Sequence, residues 1–171
     1  MLTLVLGGAR SGKSRFAEAR ADHWRKTNAG ERLYIATAQA FDAEMHERIT
    51  IHQRQRGADW RTIEAPLDLP KRLMETALAE RFILVDCITL WLSNLLLADA
   101  DIDAALSRLE DVLSSVAGEI VMVSNEVGLG IVPDNALARH FRDIQGTANQ
   151  RLAARAAHVF LITAGLPLTL K

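Results

Sequence analysis

The amino-acid sequence predicts an α/β fold with a mostly parallel central sheet, helices on both faces and a C-terminal edge strand. Three observations predict it. Short apolar runs rich in Val, Ile and Leu recur along the chain, helical patterns separate them, and the first run leads directly into a glycine-rich turn and a helix. Runs of this kind suit strands covered on both faces, as in a parallel sheet, and their alternation with helices implies right-handed crossovers.

The runs are Leu2–Leu6, Leu33–Ala36, Phe82–Val85, Ile120–Ser124 and His158–Thr163. "WRTIEA", Trp60 to Ala65, adds a short strand before Pro66, and the tail "GLPLTLK" alternates apolar and polar residues as an edge strand or hairpin does. Helical patterns fall near 13–26, 41–57, 68–79, 88–98, 102–117 and 134–157. The helix near 88–98 carries Leu90, Trp91, Leu92, Leu95, Leu96 and Leu97 around most of its circumference. Such a helix must be covered on more than one side, by a second subunit or, equally, by the core of its own chain.

The 171 residues form no repeat and contain no long linker, so one domain, 1–171, is expected. A net charge of −1 argues against nucleic acid as a partner, because such partners demand a basic surface. Cys87 is the only cysteine, which leaves no disulfide framework or thiolate cluster and fits a reducing cytoplasm. The apolar run Leu2–Leu6 is too short for a signal peptide's core, and no stretch approaches the roughly 20 apolar residues that span a bilayer. A cytoplasmic, soluble protein is expected.

The turn after the first run reads Gly7, Gly8, Ala9, Arg10, Ser11, Gly12, Lys13 and Ser14, which fits G-x-x-x-x-G-K-S/T. The pattern sits between a predicted strand and a predicted helix. That setting is what phosphate binding needs, since a helix begins with free N–H groups aimed at the anion, and it makes the fold P-loop NTPase-like. Lys13 would reach the terminal phosphates, the Ser14 hydroxyl would ligate Mg²⁺, and Arg10 and Ser11 would add contacts to phosphate oxygens. Asp86 closes the run "FILVD", where such proteins keep an acid that orients the metal, although Asp also suits a simple helix cap. Glu64, after "WRTI", reads equally as a site acid or an exposed acid at a strand end.

Two histidines, His46 and His52, lie in "FDAEMHERITIHQRQRG". They are six residues apart, so they do not form the four-residue helical pair of a zinc site. Arg48, Gln55 and Arg56 can flank His52 on a helix and give it a phosphate-attracting neighbourhood, although the residues alone favour the plainer reading of a surface histidine on a basic helix.

Four stretches taken together carry a resemblance: "GGARSGKSRFAE", "YIATAQAFDAEMHERITIHQRQR", "LVDCITLWLSNLL" and "SNEVGLGIVPDNALARHFRDIQGTANQRLA". With them the chain resembles, over almost its whole length, the bifunctional adenosylcobinamide kinase / adenosylcobinamide-phosphate guanylyltransferase family, known as CobU or CobP. The resemblance implies an enzyme of cobalamin biosynthesis. Its members phosphorylate the aminopropanol hydroxyl of adenosylcobinamide with ATP or GTP. They then transfer GMP from GTP to adenosylcobinamide phosphate and release pyrophosphate. The second step implies a guanylylated histidine, and the family position falls on His52, with His46 outside it. Some relatives have two adjacent histidines where this chain has Ile51 and His52. By the same resemblance Thr37, Ala38, Gln39, Gln53, Arg54, Gln55, Arg56, Glu64 and Asp86 surround the guanine nucleotide, and the protein is a homotrimer. The loop "NEVGLGIVPDN" is expected on the substrate side, with Asn125 and Glu126 as polar contacts or strand-capping residues.

Two other readings of the residues compete. A P-loop small-molecule kinase would form no covalent nucleotide and would not depend on His52. A non-catalytic nucleotide-binding switch commonly carries an N-K-x-D motif, which this chain lacks.

Overall fold

The computed structural model describes residues 1–39 and 59–171. Among them, seven strands join in one sheet: β1 (Leu2–Gly7), β2 (Arg32–Ala36), β3 (Trp60–Glu64), β4 (Phe82–Asp86), β5 (Glu119–Asn125), β6 (His158–Thr163) and β7 (Leu166–Thr169). Their order is β3-β2-β4-β5-β1-β6-β7. All pairings are parallel except β6 with β7, where the chain turns at Ala164 and Gly165 and returns as an antiparallel edge. The tail and "WRTIEA" are thus the two edge strands of the sheet. Every residue of β1 is buried and every residue of β7 is exposed, which explains why one reads as a continuous apolar run and the other alternates.

Five helices complete the described chain: α1 (Lys13–Arg25), α2 (Leu69–Thr76), α3 (Ile88–Leu97), α4 (Ile102–Ser115) and α5 (Ala136–Arg155). The predicted helix at 41–57 lies outside the described residues. The faces of the sheet are unequally covered. On one face α1 lays Ala17 and Ala21 against Val5, Phe82, Leu84, Val121 and Val123, small side chains that let the helix come close. The other face carries α2 to α5 over the larger core of Leu4, Leu33, Ile35, Ile83, Val85 and Met122.

α3 settles the question raised by its apolar circumference. Trp91 and Leu92 are fully buried and Leu95 nearly so, inside the core made with α2, α4 and α5, and the Trp91 indole N–H donates to the Leu67 carbonyl at 2.9 Å. Only Leu97, at its last turn, stands out as exposed among its large apolar residues. The helix is covered by its own chain, so it supplies no reason for a subunit interface.

Candidate active site

In an open parallel sheet, ligands gather beyond the carboxyl ends of the strands. Here those ends are Gly7, Ala36, Glu64, Asp86, Asn125 and Thr163, and they carry most of the predicted site.

The turn from β1 to α1 is built for an anion. Gly7 has φ +155°, and a Cβ there would lie 2.5 Å from the Ile162 carbonyl oxygen and 2.6 Å from Ser11 Oγ. Gly12 has φ +100° and caps α1 without a side-chain hydrogen bond, so no cap side chain occupies the first N–H groups of the helix. Ser11 Oγ is buried with no hydrogen-bond partner among the described residues, an orphan that a phosphate oxygen would satisfy. From behind, the turn between β6 and β7 supports the loop: Gly165 N–H donates to the Ser11 carbonyl at 2.9 Å, and a Cβ on Gly12 would meet Gly165 Cα at 3.3 Å. Gly8, Ala9 and Arg10 are exposed at the mouth, with Arg10 in the left-handed region at φ 54°.

Lys13 is buried, and its ammonium group curls over the loop to donate to the Gly8 carbonyl at 2.6 Å. Burial lowers its pKa below the usual lysine value, partly offset by nearby acid. Burial also pushes the Cys87 thiol up to about 12, with the Asp86 charge adding to the effect.

β5 separates β1 from β4, yet the first turn of α1 closes the gap. Ser14 Oγ donates to Asp86 Oδ2 at 3.2 Å, and the Tyr34 hydroxyl donates to the same oxygen at 2.9 Å. A hydroxyl and a carboxylate converging beside a phosphate loop are hard oxygen donors of the kind Mg²⁺ prefers. The pair therefore fits that metal, with the remaining positions left for phosphate and water. No cluster of three or more metal-ligating His, Cys, Asp or Glu side chains occurs among the described residues.

The end of β2 acts on the site through β4. Thr37 is fully buried; its hydroxyl donates to the Cys87 carbonyl at 2.7 Å and accepts from the Cys87 N–H at 2.8 Å, and its N–H donates to the Asp86 carbonyl at 3.2 Å. Asn94 of α3 secures the same corner, donating to the carbonyls of Thr37 and Pro66 at 2.7 and 3.0 Å. Thr37 thus fixes the backbone that carries Asp86, while Ala38 and Gln39, half-buried, follow it. Glu64 is exposed at the end of β3, four strands from β1 and so roughly 19 Å from the phosphate loop by strand spacing. His46, His52, Gln53, Arg54, Gln55 and Arg56 lie outside the described residues.

β5 ends in a buried polar knot. Ser124 Oγ donates to Asn149 Oδ1 at 2.7 Å, Gln145 Nε2 donates to Ser124 Oγ at 2.9 Å, and Asn149 Nδ2 donates to the Asn125 carbonyl at 3.0 Å. Asn125 N–H donates to Thr89 Oγ1 at 2.8 Å, and Glu126 N–H to the Gly7 carbonyl at 2.9 Å. The backbones of Asn125 and Glu126 are therefore committed to the strand end, and the Glu126 carboxylate accepts from Gly128 N–H at 2.6 Å in its own loop. Tyr34, Asn94, Asn149 and Gly165 are the supporting residues that sequence reasoning missed. Their one legible signal is a polar side chain, or a lone glycine, interrupting an apolar pattern.

Comparison with known proteins agrees with this geometry. Residues 3–170 match the family described as cobinamide kinase / cobinamide phosphate guanyltransferase. The chain is 48% identical to the bifunctional adenosylcobalamin biosynthesis protein CobP of Pseudomonas aeruginosa, over 100% of this chain and 98% of that one. Identity to the CobU proteins of Salmonella typhimurium and Escherichia coli is 42% and 39%, in each case over the full length of both chains. Among solved structures, the flagellar accessory protein FlaH of Methanocaldococcus jannaschii shares the fold, with TM-score 0.56 and 15% identity over 99% of this chain and 77% of that one. With its phosphate loop, its Ser14–Asp86 pair and a family match over nearly every residue, the chain belongs to the cobinamide kinase / cobinamide phosphate guanyltransferase family.

Proposed function

We propose that one phosphate loop serves two successive transfers in cobalamin biosynthesis. In the first, the acceptor hydroxyl of adenosylcobinamide attacks the γ-phosphorus of ATP or GTP. A new O–P bond forms, the bond to the β-phosphate oxygen breaks, the hydroxyl proton is lost and the nucleoside diphosphate departs. In the second, an imidazole nitrogen of His52 attacks the α-phosphorus of GTP and releases pyrophosphate. The phosphate of adenosylcobinamide phosphate then displaces the imidazole, breaking the P–N bond and giving adenosylcobinamide-GDP.

The observation that carries this reading is the convergence of Lys13, Ser14 and Asp86 on a single phosphate loop, in a family whose description contains both activities. Gly7 to Ser14 would cradle the triphosphate, and Lys13 would follow the charge that develops on the transferred and departing phosphates. Ser14 and Asp86 would hold Mg²⁺, which when bound neutralises phosphate charge. Thr37, Ala38, Gln39, Gln53, Arg54, Gln55, Arg56 and Glu64 would flank the guanine nucleotide along the rim that runs from β1 to β3. A neutral imidazole, with an ordinary pKa of about 6.5, is available as a nucleophile near neutral pH. A homotrimer and a cytoplasmic location complete the proposal. No described helix is long and apolar enough to cross a membrane.

The test is covalent labelling. Protein incubated with Mg²⁺ and GTP labelled at the α-phosphate should retain the label through an acid-labile, alkali-stable bond, whereas γ-label should leave with pyrophosphate. His52→Ala should abolish the label and guanylyl transfer while adenosylcobinamide is still phosphorylated, and His46→Ala should keep both. Normal labelling of His52→Ala would reject His52 as the nucleophile; a wild type that never labels would leave a plain kinase.

A further inference from the structure

The two most exposed large apolar side chains among the described residues lie in one loop. Leu129 is 85% and Ile131 96% exposed, and Val127, Val132 and Leu137 are exposed around them. Single exposed apolar residues are ordinary, but a contiguous group marks a surface that receives a partner. The stretch from Glu126 to Asn135 contains neither helix nor strand, yet both of its ends are fixed. At the start, Glu126 N–H is bonded to the Gly7 carbonyl and Gly128 N–H to the Glu126 carboxylate. At the finish, the Arg139 guanidinium donates to the carbonyls of Pro133 and Asp134 at 3.0 and 2.6 Å, and Asn135 caps α5 through Ala138 N–H at 2.7 Å. The result is a short apolar platform that rises from β5, between the strand that ends in Asp86 and the strand that opens the phosphate loop.

We propose that this platform seats the macrocycle of the acceptor: a corrinoid lies against Leu129, Ile131 and Val132 while its hydroxyl-bearing arm reaches the phosphate loop beside Gly7. The inference rests on the cobinamide reading given above. The acceptor's macrocycle is far bulkier than its arm, so a ring resting on the rim lets the arm alone approach the transferred phosphate. A corrin ring presents methyl groups and methylene-bearing amide arms, which aliphatic side chains accommodate and charged ones do not. The opposite flank of the phosphate loop is the β6–β7 turn, where Arg15 lies against Gly165. The exposed Leu166, Leu168 and Leu170 that follow lie on β7 or just past its end, and β7 runs antiparallel to β6 and so leads away from the carboxyl ends of the parallel strands. The competing occupant is a second copy of the chain. A stable protein interface buries about 800 Å² per partner, more than these few side chains supply by themselves, and the Glu126–Gly7 bond ties the platform to the phosphate loop rather than to a remote face of the chain.

The double variant Leu129→Ser/Ile131→Ser tests the proposal, since both side chains lie at the surface and the fold does not depend on them. Equilibrium dialysis with adenosylcobinamide should show affinity weakened about tenfold or more, with KM for adenosylcobinamide rising in step. Covalent labelling by GTP alone and the melting temperature should match wild type, and Leu129→Met/Ile131→Met should restore corrinoid affinity. Unchanged corrinoid affinity overturns the proposal, and if sedimentation then shows a smaller oligomer, the loop belongs to a second copy. Weakened affinity that the Met variant fails to restore also overturns it. Wild type that binds adenosylcobinamide without modifying it would reject the activity and keep the seat; wild type that does not bind it would reject both.

Discussion

The Tyr34 hydroxyl and the Ser14 hydroxyl share one oxygen of Asp86, at 2.9 and 3.2 Å. The Ser14 hydroxyl can keep this bond while a lone pair of its oxygen serves a metal ion, and Tyr34 is a second donor that holds the same carboxylate. The Tyr34 ring is buried and stands edge-on to Trp60 at 6.2 Å, so the hydroxyl is aimed by packing. Tyr34→Phe keeps that packing and removes one hydrogen bond to a charged group, a loss of about 1.5–3 kcal/mol where it bears on turnover. Kinase turnover should fall about tenfold or more, and calorimetry should show GTP binding that needs more Mg²⁺ to reach the same affinity. An unchanged Mg²⁺ dependence would remove Tyr34 from the site's support.

Lys13 is a buried cation kept at some cost in hydration, as its lowered pKa records. Lys13→Met should therefore leave the melting temperature unchanged or raise it, while both half-reactions fall on the order of 100-fold because the triphosphate loses its charge partner. Rates of phosphorylation and of guanylyl transfer measured on this one variant decide whether the two activities share a site. Full retention of either rules out sharing.

The two glycines that open the loop should respond differently. A Cβ at Gly7 would press on the Ile162 carbonyl and on Ser11 Oγ, whereas one at Gly8 would meet nothing within 4 Å. Gly7→Ala should cost roughly 2–4 kcal/mol of stability and most of the nucleotide affinity, and Gly8→Ala should leave the melting temperature within a degree or two. Equal loss in both variants would contradict the loop geometry.

Away from the site, Arg151 of α5 clamps Glu110 of α4 with two bonds of 2.7 and 3.1 Å. The bond from Arg151, opposed in part by burial and helped by the charges of Arg151 and Arg155, holds the Glu110 carboxyl below its ordinary pKa. A carboxyl lowered by folding adds stability above its unfolded pKa, and that stability disappears as pH falls through the folded value. Glu110→Gln should thus lower stability by about 1–2 kcal/mol at pH 7. Denaturant titration near pH 3 should find the difference between variant and wild type nearly gone.

The phosphate loop was legible because all of its chemistry lies in eight consecutive residues, and the strands flanking it were legible because both of their faces are buried. Asp86 could be named from its place at the end of "FILVD", but its partnership with Ser14 depends on α1 crossing β5, which no local pattern encodes. Tyr34 and Asn94 escaped notice for the same reason, acting across the β2–β4 register and from α3, and Thr37 was named only through the resemblance, since its hold on the Cys87 backbone also crosses that register. The apolar circumference of α3 had two explanations in the sequence, and only the positions of α2, α4 and α5 chose between them. Exposure of Leu129 and Ile131 was likewise invisible, because an apolar residue in a glycine-rich loop reads the same whether it tucks under or stands out.

The bond from Gly165 to Ser11 joins two residues separated by nearly the whole length of the chain. During synthesis the phosphate loop leaves the ribosome long before its backing wall does. A nascent chain stopped before Gly165 has the motif without its support, so competence to hold a triphosphate should arise late and abruptly. Stalled chains of increasing length, assayed for retention on immobilised GTP, would show that threshold once residue 165 has cleared the exit tunnel.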